Sequence, residues 1–422
     1  MVASTTKITS GYDVAIIGGG IGGMAAARSL VRGDPKNARV TVYEMGRGPG
    51  GRSSTRKSRE IPALRINHGA PFADICTLEG KKLVRELELM EFGGRRGHLD
   101  SSSGTFTPSV EDDDDDTIFV TGSNNEMANI ASSLIENLAP SITTRYSSMI
   151  RSVSHTQSRW QLYDKSGSTL GSADYLIVAG SGIAHPRWTA TFGGDPPLVT
   201  AAEEMNCLDD DDAILKETLH LIAKQTADPI IAVFFFCTGD SAKPWLDIGF
   251  HVGNLFGDNQ YDTDNSIDDS GVLSRIVVQP IGEDGECSVV LHSTIAFAQV
   301  NTGVYGSSSS AARVGDASSD SSREDFLIGK MLQALSDIPG MPTVDISNSA
   351  ISNPLFHRWG NAFPTGEPIP EKLTFCASSR VGFCGDYTKT AARMGSVEAA
   401  LLSGTYIGKR IVSDANGKLQ IP

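Results

Sequence analysis

No apolar run in this chain of 422 residues approaches the length of a membrane span. The six cysteines, at 76, 207, 237, 287, 376 and 384, form no CxxC pair and no Cys/His spacing of the kind that holds a metal. Scattered thiols of this sort suit a reducing compartment. A basic surplus is also missing. Lys and Arg number 36 against 50 Asp and Glu, a formal net charge of −14. Nucleic acid and anionic membranes, which need a basic surface, are therefore not expected partners. Residues 1–10 are polar and lack the apolar core of a signal peptide, so the cytoplasm is the expected location. No solenoid-type repeat is present.

What the chain does have is enough length for two domains and an ordinary apolar content of 40%. Its acidity is partly concentrated in runs at 111–116 and 209–212, a pattern typical of solvated loops. Asp262, Asp264, Ser266 and Asp268 have some of the spacing of a calcium loop. They lack its sixth-position glycine and closing glutamate, so no metal site is expected.

Residues 12–17 are a short apolar run ending in glycines, as expected of a buried parallel strand. An alanine-rich helix over 22–32, closed by Gly33 and Pro35, and a strand over 39–44 complete a βαβ unit. Helical spacing recurs at Met127, Ile130, Leu134 and Leu138, and further strands are expected at 160–163 and 174–179. The region 229–300, with IIAVFFF, SRIVVQPI and CSVVLHSTIAF, reads as an antiparallel sheet of a second domain. Its Phe234, Phe235 and Phe236 read as sheet core. The serine-rich stretch 305–322 reads as a loop, followed by an amphipathic helix over 323–335, a strand over 381–385 and a long helix over 396–412.

Gly18-x-Gly20-x-x-Gly23 sits between the first strand and the first helix. Glycines there allow a tight turn, close approach of backbone to a pyrophosphate, and close helix–strand packing. The helix start adds free N–H groups and a partial positive charge. Glu44 ends the next strand, where a carboxylate accepts hydrogen bonds from ribose hydroxyls. A second glycine-rich turn follows at once, Arg47-Gly48-Pro49-Gly50-Gly51-Arg52. It lets more backbone reach the same diphosphate, with Arg52 to offset charge. Near the far end, Gly385-Asp386 closes a strand, and Ser396 and Val397 open a helix whose amides can bond a flavin carbonyl. The combination points to FAD rather than NAD.

YEMGRGPGGRSSTRK followed by INHGAPF resembles the renalase-like branch of the flavin amine-oxidase superfamily. The resemblance continues through GSNNEMANIA, DYLIVAG, HRWGNAFP and VGFCGDYTKTAARMGSVEAALLSG, and so covers most of the chain in order. It implies an α/β, two-domain flavin amine-oxidase-like fold. A discontinuous Rossmann-type FAD domain (residues 9–78, 118–188 and 346–416) is joined to a mixed or antiparallel-sheet substrate domain (79–117 and 189–345). It also implies non-covalent FAD and hydride transfer from a small-molecule substrate to flavin N5, with O2 as acceptor. Renalases act on isomers of NAD(P)H; more distant relatives oxidise amines or desaturate carotenoids. The FAD contacts carried over are Gly18, Gly20, Gly23, Glu44, Arg47, Gly51, Arg52, Gly385, Asp386, Ser396 and Val397. Val153 is carried over for the adenine, and His68-Gly69-Ala70 beside the flavin.

This chain departs from the family at Asn67, where an acidic residue is common, and at Pro71-Phe72, where glutamine and an aromatic are usual. Because the flavin carries the redox step, the expected pocket residues are aromatic and polar groups over its ring. The candidates are His68, His357, Trp359, Asn361 and Phe363, with His357 and Trp359 sharing one face of a strand. Cys384 lies inside a strand, a poor position for a thioether to the flavin. Lys224 and Lys243 match no catalytic lysine of an amine oxidase. Amine oxidase, desaturase and non-catalytic flavin-binding protein stand as alternatives.

Overall fold

The computed structural model describes residues 11–58, 61, 63–109, 116–205, 213–255, 271–282 and 285–417. Residues 111–115, the run 209–212, Cys207 and the 262–268 stretch lie outside the described residues. Asp116, which closes the first acidic run, is exposed and pairs with Lys81 at 2.7 Å.

Among the described residues two sheets dominate. The first has six strands in the spatial order Ile142–Arg145, Ala38–Tyr43, Tyr12–Ile17, Tyr175–Val178, Val381–Phe383 and Phe375–Cys376. Neighbours from the first to the fifth run parallel, and the last is antiparallel. Three distant stretches of chain thus build one sheet, as a discontinuous Rossmann-type domain requires. The central Tyr175–Val178 strand is buried throughout, and its unbroken apolar run reflects cover on both faces.

One face of this sheet is covered by the Ile21–Gly33 and Val397–Ala415 helices. They pack closely because small residues meet. A Cβ on Gly404 would lie 2.1 Å from the Gly22 carbonyl oxygen, and one on Gly408 would lie 2.5 Å from Ser29. The Ala128–Ile135 helix joins the same core. It stops short of Leu138 because Glu136 leaves helical geometry at ψ 137° and Asn137 follows at φ 61°.

The second sheet has seven strands in the order Leu355–Thr365, Thr226–Cys237, Glu286–Ser293, Leu273–Ile281, Val252–Asn254, Arg96–Leu99 and Phe106–Pro108. It is antiparallel except where Val252–Asn254 pairs parallel with Arg96–Leu99. Phe234, Phe235 and Phe236 are buried within it. The Leu355–Thr365 strand comes from the segment expected to serve the FAD domain. It instead forms the edge of the second sheet, because its alternation pairs it with Thr226–Cys237.

Two expectations need correction. Residues 295–300, read as the end of a strand, are the Ile295–Val300 helix, started by Thr294 Oγ1 accepting from the Phe297 amide at 3.1 Å. The serine-rich stretch is not a plain loop. It contains the Ser310–Gly315 helix, capped by Ser309, and it is tied to the buried Glu324 of the Ser321–Ser336 helix. Ser307 donates to that carboxylate through its amide at 2.8 Å, and Ser319 Oγ donates to it as well. At the other end Arg151 reaches the Gly315 carbonyl at 3.4 Å, and Lys165 pairs with Asp316 at 3.0 Å. Serines of a stretch read as a loop here donate hydrogen bonds to a buried carboxylate.

Candidate functional site

The first glycine turn is shaped by contact as much as by conformation. Gly18 has φ 112°, and its amide donates to the Tyr43 carbonyl at 2.9 Å. A Cβ on Gly23 would stand 2.0 Å from the Gly18 carbonyl oxygen, so the helix can start this close to the strand only with glycine there. The second turn is bonded directly to the first: the Gly50 amide donates to the Gly19 carbonyl at 2.9 Å. Glu44 braces both. Its carboxylate accepts from the Gly19 amide at 2.7 Å and the Gly46 amide at 2.6 Å. Burial raises the pKa of this carboxyl group, and the two amide bonds oppose the rise.

Arg52 then joins the ends of the chain. Its guanidinium donates to Asp386 at 2.5 Å and to the Ala362 carbonyl at 2.8 Å. Its own carbonyl accepts from the Ala70 amide at 3.1 Å, which seats His68-Gly69-Ala70 beside the turn. Ser396 caps the last helix by accepting from the Ala399 amide at 3.0 Å. Gly22, in the first helix, faces Gly385 and the Ala400 carbonyl. The early turns and the late helix therefore open into one crevice of about 2070 Å³.

Gly18, Gly20, Glu44, Arg47, Gly51, Arg52, His68, Gly69, Ala70, Gly385, Asp386, Ser396 and Val397 all line this crevice, as do His357, Trp359, Asn361 and Phe363. Gly23 and Val153 do not. Gly23 acts through the packing just described. Val153 is buried in the core with Trp160 and Leu162, and the preceding Ser148, Met149 and Ile150 reach the crevice. Cys384 is fully buried outside the lining, and burial pushes its thiol pKa up. Lys224 and Lys243 are also outside the lining.

His68, His357 and Trp359 line the crevice as one aromatic cluster, with the fully buried Phe234 packed against His68. The His68 ring centroid lies 5.0 Å from Phe234, 5.2 Å from His357 and 5.3 Å from Trp359, and His357 and Trp359 are 4.1 Å apart. His68 is 6% exposed and its carbonyl is held by the Trp359 indole at 3.4 Å and by His292 at 3.3 Å. Burial, then Arg56, lowers the His357 pKa to about 3; burial, then Arg275, lowers that of His292 to about 3. His68 is likewise lowered, by burial and then by His357, Arg56 and His292. All three imidazoles are neutral at physiological pH.

Asn67 does not line the crevice. Its Oδ1 accepts from the Met127 amide at 3.0 Å and from Thr55 at 2.6 Å, while its Nδ2 donates to the Asn125 carbonyl at 2.8 Å. A carboxylate could not make that donation, so the departure is structural rather than catalytic. Pro71 and Phe72 do face the crevice, with Phe72 against Phe92 at 4.9 Å.

Two arginines were not singled out from the sequence. Arg187 lines the crevice near Arg52 and bonds the Ser181 hydroxyl at 2.5 Å. Burial, then Arg52, lowers its pKa to about 10. A readable signal was Gly180-Ser181-Gly182, a third small-residue turn after the Tyr175–Val178 strand. Arg358 also lines the crevice, although it leaves its strand on the face opposite His357 and Trp359.

Comparison with known proteins agrees with this geometry. A model of the NAD(P)-binding Rossmann-like domain matches residues 16–76. Over 61 residues the chain is 39% identical to (S)-6-hydroxynicotine oxidase of Paenarthrobacter nicotinovorans, a match spanning 14% of each chain. Among solved structures, cyclohexylamine oxidase from Brevibacterium oxydans IH-35A superposes with a TM-score of 0.56 at 14% identity, covering 96% of this chain and 99% of that one. Putrescine oxidase bound to putrescine gives 0.51 at 14%, covering 96% and 98%. An Exiguobacterium sp. 255-15 protein assigned as a protoporphyrinogen oxidase gives 0.59 at 13%, covering 96% and 99%. The fold is that of the flavin amine oxidases. At such identities the likeness is one of architecture: a Rossmann-type dinucleotide domain and a second, mixed-sheet domain. Among the described residues no helix is long and apolar enough to cross a membrane.

Proposed function

We propose that this chain is an FAD-dependent oxidoreductase that binds FAD non-covalently and takes a hydride from a small substrate, with O2 as acceptor. The observation that carries the reading is the bond from the Gly50 amide to the Gly19 carbonyl, with the last helix starting beside the same turn. Backbone from three distant segments then faces one crevice, as a dinucleotide requires.

The residues fit such a ligand. The crevice exceeds the roughly 300–1,000 Å³ of ordinary small-molecule sites. The first amides of the Ile21–Gly33 helix have no partner within the helix and carry its positive end. Arg52 and Arg187 offer guanidinium donors nearby, and Asp386 offers a carboxylate for ribityl hydroxyls. FAD, when bound, would supply the redox chemistry. The buried Cys384, outside the lining, supports a non-covalent cofactor.

For the substrate, the proposal is a renalase-like dihydronicotinamide, an isomer of NAD(P)H. The rings of His68, His357 and Trp359, set at 35° to 90° to one another, offer both faces and edges to a planar ring, with Asn361 and Phe363 alongside. Neutral imidazoles can accept or donate hydrogen bonds without placing a cation against a hydride donor. Amine oxidation is the second reading, favoured by the likeness of fold to cyclohexylamine and putrescine oxidases. Against it, Lys224 and Lys243 lie away from the crevice, and the lysine in its lining, Lys57, is exposed.

The purified protein should be yellow and release FAD on denaturation. Mixed anaerobically with dihydronicotinamide isomers, its flavin band should bleach. A colourless protein that takes up no FAD would falsify the cofactor; bleaching by amines alone would select the second reading.

A further inference from the structure

Arg358 raises a question that the flavin does not answer. Its side chain is half-buried in the crevice wall, and its Nε is out of water with no hydrogen-bond partner among the described residues. One donated bond is present, from Nη2 to the Ala298 carbonyl at 3.3 Å. Burial lowers its pKa, and the neighbour that acts against this is the Tyr305 phenol rather than a carboxylate. Guanidinium has five N–H donors in a planar fork. Burying it without a counter-charge is costly, and a single neutral carbonyl does not compensate. Among the described residues no carboxylate pairs with Arg358, although the chain has 50 acidic residues against 36 basic ones.

The surroundings are polar and fixed. Leu355–Thr365 is an edge strand, and the crevice lining includes residues of both its faces: His357 and Trp359 on one, Arg358 on the other. Tyr305 and Ser308 of the serine-rich arm line the same crevice. The arm is seated against the strand, because a Cβ on Gly306 would lie 2.6 Å from the Phe356 carbonyl. Its amides at Tyr305 and Gly306 donate to Ser319 Oγ at 3.0 and 3.1 Å.

We infer that Arg358, with the Tyr305 phenol near it, is a subsite for an anionic group, a carboxylate or a phosphate, carried by the substrate. The fork of a guanidinium matches either group. The substrate would react on the His357–Trp359 side of the strand and anchor its acidic end around the edge. Interactions at such a distance from the reacting carbon serve orientation. The word substrate rests on the oxidoreductase reading; the anion site does not.

The test is calorimetric titration of the flavin-loaded protein with inorganic phosphate and, separately, with succinate, at constant ionic strength in chloride. One probe should bind saturably, and which one does so distinguishes phosphate from carboxylate. Arg358→Gln should weaken it at least tenfold and Arg358→Lys less, while the outer-surface variant Arg32→Gln should bind as wild type. If Arg358→Gln does not fold, as judged by circular dichroism, Arg358→Lys and Tyr305→Phe decide, each expected to weaken binding several-fold. No saturable binding of either probe, or binding indifferent to these substitutions, overturns the inference. Flavin content is measured independently from the visible spectrum. A colourless protein showing Arg358-dependent binding would defeat the oxidoreductase reading and support the anion site.

Discussion

Arg52 and Asp386 are 334 residues apart in sequence and meet in an ion pair at 2.5 Å. Asp386 is 4% exposed, while the Arg52 side chain is about one-third exposed. The pair ties the second glycine turn to the segment leading into the last helix, so the crevice wall and the junction of the chain's two ends share one contact. Removing Arg52 leaves a buried carboxylate without its cation, which costs about 3 kcal/mol. Arg52→Ala should therefore unfold at lower urea and retain FAD at least tenfold more weakly. Arg52→Lys should lie between. Wild-type flavin retention in Arg52→Ala would remove this pair from the cofactor site.

The same substitution should have opposite signs at two glycines. Gly23→Ala puts a methyl group 2.0 Å from the Gly18 carbonyl oxygen, and overpacking of this kind costs roughly 1–3 kcal/mol or more. Loss of flavin should accompany the loss of stability. Gly329 sits in the Ser321–Ser336 helix with open space around its Cα. Gly329→Ala should stabilise by about 1 kcal/mol through helix propensity. Urea midpoints measure both.

The buried histidines predict an acid-sensitive fold. His357 and His292 titrate near 3 in the folded state, below the ordinary value of about 6.5. Between those values the unfolded chain binds more protons than the native one, so stability falls as pH drops. The loss is absent above about pH 6.5 and grows progressively as pH falls toward about 3. His357→Asn should flatten the slope of unfolding free energy against pH between 4 and 6. An unchanged slope would show that His357 is solvated.

Trp359 tests the wall. Its indole is bonded to the His68 carbonyl and its ring lies 4.1 Å from His357. Trp359→Ala should keep the yellow colour yet lower kcat/KM by about 10²-fold through misplacement of the substrate. A variant with normal turnover would assign Trp359 to packing alone.

Glu324 holds the serine-rich arm. Glu324→Ala removes the acceptor of the Ser307 amide and of the Ser319 hydroxyl, at roughly 0.5–1.5 kcal/mol per hydrogen bond lost. Limited proteolysis should then cut within residues 305–319, faster than in wild type and slowed again by a bound substrate.

The βαβ start, both glycine turns and the last helix were legible because their physics is local. A strand-to-helix turn needs glycine where backbone approaches backbone, and Ser396 caps its helix within three residues. The alternation of His357, Arg358 and Trp359 placed two rings on one face, as found. The serine-rich arm was misread because composition reports the solubility of a segment, not the buried carboxylate it meets. The role of Asn67, a departure from the family in the sequence, was not legible there for a similar reason: its partners at Thr55, Asn125 and Met127 come from other elements.

By itself, then, the order of residues determined that two early turns and one late helix could each present amides to a phosphate-bearing ligand, since each depends on neighbours a few positions away. Tertiary structure decided where those ends meet, which histidines lose their water, and that Arg358 stands in the crevice wall with no carboxylate partner among the described residues. Such outcomes depend on burial and on partners far along the chain. A side chain's charge state and spare hydrogen-bonding capacity are properties of its surroundings, and those exist only once the chain has folded.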